Sequence, residues 1–192
     1  MNQSILRFFN GMVHKSAAVD GIASFLIKTA PFIVAAVIVA VFAAGLVRKQ
    51  EKWRAAAFVT GCLVVVCLVL GFVTGHFVNE TRPVYALNNM TALLPHADDS
   101  SFPSDHMLIC FGAAFGFLGL RKWLCFTLAG FGLLVGLAKV YAAQHYPSDI
   151  LVTVIFVFVI YLLYRAFFSK RLAKLYLAVE KRVFPFLHKT AN

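Results

Sequence analysis

The chain has 192 residues, 61% of them hydrophobic and 14% charged, with a formal net charge of +10 and a mean hydropathy of +0.82. Soluble domains are about 45–50% apolar, so composition excludes that class and leaves an integral membrane protein. The positive charge is concentrated in short connections and in a tail that directly follows an apolar run, which fits anionic membrane lipids as partners better than nucleic acid.

The first 28 residues carry Arg7, His14, Lys15, Asp20 and Lys28 among apolar positions. They lack the small-residue cleavage pattern of a signal peptide. The expectation is an amphipathic helix lying in the interface and then a turn near Gly21, with a sixth span as the alternative. Five apolar runs follow, at 29–47, 55–78, 105–120, 123–140 and 149–168. A bilayer is crossed by roughly 17–25 such residues, and the third and fourth runs are at the short end of that range. The predicted fold is all-α: a polytopic membrane bundle of about five transmembrane helices plus an N-terminal interfacial helix.

The connections carry the charge. The 48–54 link (Arg48, Lys49, Glu51, Lys52, Arg54), the Arg121-Lys122 link and a tail with Arg165, Lys170, Arg171, Lys174, Lys181, Arg182 and Lys189 are all basic. With five spans they share one side, which the positive-inside rule makes cytoplasmic. The 79–104 loop and the 141–148 turn then face outward. Turn formers crowd the ends of the long loop, and Val84 to Leu94 is expected to hold a short interfacial helix. Residues 1–168 read as one membrane domain and 169–192 as a basic, cytoplasmic amphipathic tail. Cys62, Cys67, Cys110 and Cys125 all fall in apolar runs without metal-like spacing, and read as packing residues.

Three polar groups lie at the outward ends of the spans: Arg82-Pro83, Ser101-Phe-Pro-Ser-Asp-His106, and Lys139 followed by His145 and Asp149. Polar residues are costly at a membrane boundary, so three groups on one side suggest one assembled site. If the chain is helical from Tyr146, the Asp149 carboxylate folds back toward His145. A carboxylate on one ring N–H fixes the tautomer and frees the other nitrogen to attack. His106, at the start of a helix, is placed to protonate a leaving group. Arg82 and Lys139 supply charge for phosphate, and helix N-termini at Ser104 and Tyr146 are ready anion sites. Each residue alone has a plainer reading: an incidental His–Asp pair, an interfacial histidine, snorkelling cations, and Ser104 as a helix cap. A metal site drawn from Asp98, Asp99, Asp105, Asp149, His106 and His145 is the rival chemistry, and Arg82 and Lys139 would repel a divalent ion from it.

Taken in order, the groups resemble the type-2 phosphatidic acid phosphatase (PAP2) superfamily, whose motifs are Lys-x6-Arg-Pro, Pro-Ser-Gly-His and Ser-Arg-x5-His-x3-Asp. Here they read Gly75-x6-Arg82-Pro83, Pro103-Ser104-Asp105-His106 and Ala138-Lys139-x5-His145-x3-Asp149. The Ser-Phe-Pro-Ser-Asp-His variant is similar to bacterial undecaprenyl-pyrophosphate phosphatases of the bacitracin-resistance type. That resemblance implies hydrolysis of a polyprenyl diphosphate lipid to its monophosphate on the outer face of the bacterial cytoplasmic membrane, with no metal or other cofactor. It implies a phosphohistidine on His145 oriented by Asp149, His106 as proton donor and then as base for water, and Arg82, Lys139 and Ser104 on phosphate. Two positions depart from the motifs. Gly75 replaces a lysine, for which His76 is the expected substitute, and Ala138-Lys139 stands where Ser-Arg is usual. A broader lipid phosphatase, acting on phosphatidylglycerophosphate or phosphatidic acid, and a lipid phosphotransferase would use the same residues.

Overall fold

A computed structural model describes residues 2–95 and 99–188. It contains eight helices: α1 (Asn2–Asn10), α2 (Ala17–Val47), α3 (Glu51–Val78), α4 (Pro83–Ala86), α5 (Asp105–Phe117), α6 (Lys122–Tyr141), α7 (Pro147–Phe167) and α8 (Ser169–Val183), followed by a 3-10 turn at Pro185–His188. Helices α2, α3, α6 and α7 are long and apolar enough to cross a membrane. They account for four of the five expected spans.

The fifth is α5, which is apolar but has only 13 residues. At 1.5 Å per residue it is about 20 Å long, less than the hydrocarbon thickness. It is also the innermost helix, packed against α3, α6 and α7, with Met107, Leu108, Cys110, Ala113, Ala114 and Phe117 wholly buried. A helix that meets protein all round need not match the thickness of the lipid. Its approach to α3 depends on Gly71, where an added Cβ would lie 2.2 Å from Leu108 Cδ1. Between membrane helices such close backbone packing replaces the missing hydrophobic drive.

The N-terminal segment is an amphipathic helix as expected, but the turn comes earlier. It occupies residues 11–16, with His14 at φ 64°, and Gly21 lies inside α2. The charged residue beside Gly21 is accommodated by hydrogen bonds. The Asp20 carboxylate accepts from the His14 amide and from the Tyr141 hydroxyl at 2.5 Å. The expected helix in the long loop shrinks to the single turn α4. Beyond it the chain is held by side chains, with Asn10 donating to the carbonyls of Thr91 and Tyr141 and accepting from the Thr91 amide.

The two ends of the bundle differ. At one end α3 and α6 finish and α5 and α7 begin, and α1 crosses over them, tied by Asn2 to Ser148. At the other end lie the basic connections, where the Trp53 ring faces both Arg48 and Arg121. There α8 folds back onto the bundle through a buried pair, Arg54 Nε and Nη2 each 2.7 Å from a Glu180 oxygen.

Candidate active site

Lys139 is in the last turn of α6 and Asp149 in the first turn of α7, and a short reversal brings the residues between them underneath. The Gln144 amide donates to the Lys139 carbonyl and the Ala143 amide to that of Val140, with Ala143 left-handed at φ 54°. This is a Schellman termination with alanine in the place glycine usually fills. It turns Gln144 and His145 back beneath the end of α6. Arg82, the residue before Pro83 of α4, enters from the opposite side, and Ser101 and Ser104 enter from the segment leading into α5.

These side chains converge. Arg82, Ser101, Ser104, Lys139, Gln144, His145, Asp149 and Thr153 are all buried. Arg82 Nη1 donates to the Gln144 carbonyl at 2.8 Å and lies 3.1 Å from His145 Nε2. Its Nε is 2.8 Å from Asp99. Lys139 Nζ donates to the Gln144 side-chain oxygen at 2.8 Å, so one glutamine holds both cations. His145 Nδ1 is 2.6 Å from the Ser101 carbonyl.

Those contacts settle the histidine's tautomer. A carbonyl only accepts and a guanidinium only donates, so the proton is on Nδ1 and the lone pair is on Nε2, facing Arg82. Burial, helped by the positive charges of Arg82 and Lys139, pushes the His145 pKa down to about 4, against the opposing influence of Asp149. The ring is neutral and its free nitrogen points toward positive charge.

Asp149 folds back toward His145 as expected, but it is not the ring's nearest hydrogen-bond partner. Its Oδ2 lies 3.8 Å from His145 Nδ1, while the same oxygen accepts from the Tyr146 amide at 2.8 Å and from Ser101 Oγ at 2.5 Å. As the third residue of α7 it reaches back to the capping N–H, the usual use of an acid there. Its hold on His145 therefore runs mainly through Ser101. The Ser104 hydroxyl does not cap α5. It is buried and has no hydrogen-bond partner among the described residues, while the Ser104 amide donates to Thr153 Oγ1 at 3.1 Å. A buried unpaired hydroxyl costs on the order of 1–3 kcal/mol, and it leaves a donor available to a bound ligand.

The remaining candidates are less central. His106, in the first turn of α5, is half-buried with Nε2 2.8 Å from the Ile27 carbonyl of α2. His76 is exposed on the last turn of α3, edge-on to Phe77. It lines a cavity of about 260 Å³ with Asp99, Ser100 and Asp105, which adjoins the cluster through Asp99, the carboxylate that Arg82 Nε meets. At Gly75 an added Cβ would lie 3.3 Å from the Phe102 carbonyl, so the segment entering α5 occupies the space where a lysine stem would start. Among the described residues no three His, Cys, Asp or Glu side chains form a metal-binding group; Asp98 lies outside them. Gln144 and the Ser101 carbonyl were not singled out from sequence. Gln144 sits within the third motif, but a contact made by a backbone oxygen leaves no trace in residue identity.

Fold and cluster together define a polytopic helical membrane protein with a buried, cation-flanked neutral histidine at one end of the bundle. The PAP2 superfamily profile matches residues 54–173, more than half of the chain, and the chain belongs to that superfamily. It is 29% identical over 167 residues, 87% of this chain and 84% of the relative, to undecaprenyl-diphosphatase BcrC of Bacillus subtilis (strain 168). It is 27% identical over 152 residues, 79% of this chain and 74% of the relative, to the putative undecaprenyl-diphosphatase YbjG of Escherichia coli (strain K12). Among solved structures, LpxE of Aquifex aeolicus shares the fold, with a TM-score of 0.66 at 20% identity over 86% of this chain and 95% of that one. With its family and relatives, the chain is a membrane lipid phosphatase.

Proposed function

We propose that the chain hydrolyses undecaprenyl diphosphate to undecaprenyl phosphate and phosphate, on the outer face of a bacterial cytoplasmic membrane, through a phosphohistidine on His145. The observation that carries this reading is the neutral His145 ring, its Nδ1–H on the Ser101 carbonyl and its Nε2 lone pair beside Arg82. The names of the relatives support the lipid, and the basic connections at the opposite end of the bundle support the outward orientation.

In this reading the terminal phosphate is bound by Arg82, Lys139 and the Ser104 hydroxyl. Nε2 attacks phosphorus, and the bond to the bridging oxygen breaks with its electron pair left on the departing monophosphate. His106 protonates that oxygen. A water then attacks phosphorus, giving its proton to His106, and the P–N bond breaks with its electron pair returned to Nε2, so phosphate leaves with His145 neutral again. Fixed cations contribute by stabilising charge on the transferring group, which is most of what such a site supplies.

Purified protein with undecaprenyl diphosphate in detergent and a chelator tests the proposal. Wild type is expected to release phosphate and His145→Ala to lose at least about a hundredfold in rate, the scale of removing an activated nucleophile or its partner. An acid-labile, base-stable phosphoprotein is expected in wild type alone. Equal release by both proteins rules His145 out. The cluster's two cations, with glycine at position 75, also suit a phosphate monoester such as phosphatidylglycerophosphate. Faster turnover of that lipid in the same assay would favour the broader phosphatase.

A further inference from the structure

Pro31 lies inside α2, on a stretch that is otherwise regular. Proline has no N–H, so the carbonyl four residues earlier loses its helical donor. That carbonyl belongs to Ile27, and it is the one that His106 Nε2 meets at 2.8 Å. Within a membrane helix a freed carbonyl has to find another partner, and here the partner is the histidine of the second motif. No sequence proximity links them, since 79 positions separate Ile27 from His106.

From this we infer that Pro31 is a positioning residue for His106: the proline opens one backbone bond in α2, and the exposed Ile27 carbonyl holds the His106 ring with its proton on Nε2. The inference deepens the function proposed above and rests on it for the catalytic consequence. With Nε2–H anchored on a carbonyl, Nδ1 is the nitrogen that exchanges protons. In the first step an imidazolium passes its Nδ1 proton to the bridging oxygen as the P–O bond breaks. In the second the Nδ1 lone pair takes a proton from water as the P–N bond breaks. Nε2 keeps its own proton throughout, so one ring serves as acid and then as base without changing orientation. Outer groups that fix a histidine's tautomer in this way commonly decide which nitrogen works.

Pro31→Ala restores an N–H at position 31 that competes with His106 for Ile27. Pro31→Gly does the same without alanine's helix preference. Two readouts separate the device from the activity. The first is the ¹⁵N spectrum of histidine-labelled full-length protein in micelles, with the His106 ring assigned by its loss in His106→Gln. Wild type is expected to show a protonated Nε2 and a pyridine-type Nδ1, and both variants a mixed or reversed tautomer. The second is steady-state turnover of undecaprenyl diphosphate. A well-placed general acid is worth roughly 10²–10⁴ in rate, so a loosened one is expected to lower kcat about tenfold or more with KM changed less than about twofold. Because alanine favours a helix over proline, the Pro31→Ala protein is expected to melt higher while turning over more slowly, which separates the loss from a folding defect. Unaltered His106 signals in the variants would overturn the inference, as would altered signals with unaltered kcat. A wild type without phosphatase activity would instead overturn the proposed function, and the ring spectrum would still decide the hydrogen bond.

Discussion

At the scale of single residues, His145 shows how a buried base is kept ready. Its folded pKa, pushed down to about 4, lies below the 6.5 of an ordinary ring because burial and the nearby cations oppose a second proton. Between those values the unfolded chain binds the proton and the folded one does not. The ring's contribution to stability is therefore complete above pH 6.5 and is lost progressively as pH falls toward 4. The nucleophile stays unprotonated across the same window. Single-turnover phosphoenzyme formation is expected to keep its nucleophile limb near pH 4, and a limb at 6.5 would show that the ring is solvated. His145, Arg82 and Lys139 were legible in sequence because their chemistry is in their side chains. The direct partner of Nδ1 was not, because Ser101 acts there through its carbonyl, whereas spacing and the family resemblance both pointed to Asp149.

At the scale of elements, apolar runs located the membrane helices to within a few residues at most ends. The start of α2 was missed. A turn was expected near Gly21, and only the folded chain brings the Tyr141 hydroxyl to the adjacent Asp20. The reversal after α6 was read as a bare turn, yet its geometry sets the site. Ala143 in the left-handed region costs about 1–2 kcal/mol relative to ordinary backbone, a cost offset by the contacts that hold Gln144 between Lys139 and Arg82. Ala143→Gly removes the steric part and adds unfolded-state entropy. The net is expected to be a gain of about 0.5 kcal/mol in stability, seen as a higher thermal midpoint. Ala143→Val is expected to lose more than about 1 kcal/mol, since a branched side chain fits that region worst. The reverse order would mean that the turn does not hold this conformation in the folded protein.

At the scale of the whole molecule, the two ends of the bundle carry different chemistry. One end gathers His145, Arg82 and Lys139. The other carries Arg48, Lys49, Lys52, Arg121, Lys122 and the cations of α8, and Glu180 pins α8 there on Arg54. Arginine and lysine bias orientation when they flank spans closely, and Arg48, Lys49, Lys52, Arg121 and Lys122 sit in or beside short connections. Asn88, in the long loop at the site end, and Lys174 on α8 are both exposed, so each tolerates a cysteine probe. The four native cysteines lie in membrane helices, three of them buried, and wild type supplies the background. With a membrane-impermeant maleimide on intact, outer-layer-stripped cells, Asn88→Cys is expected to label directly and Lys174→Cys only after lysis. The opposite pattern would put the histidine cluster in the cytoplasm, and the lipid it meets would then have to be an inner-leaflet one.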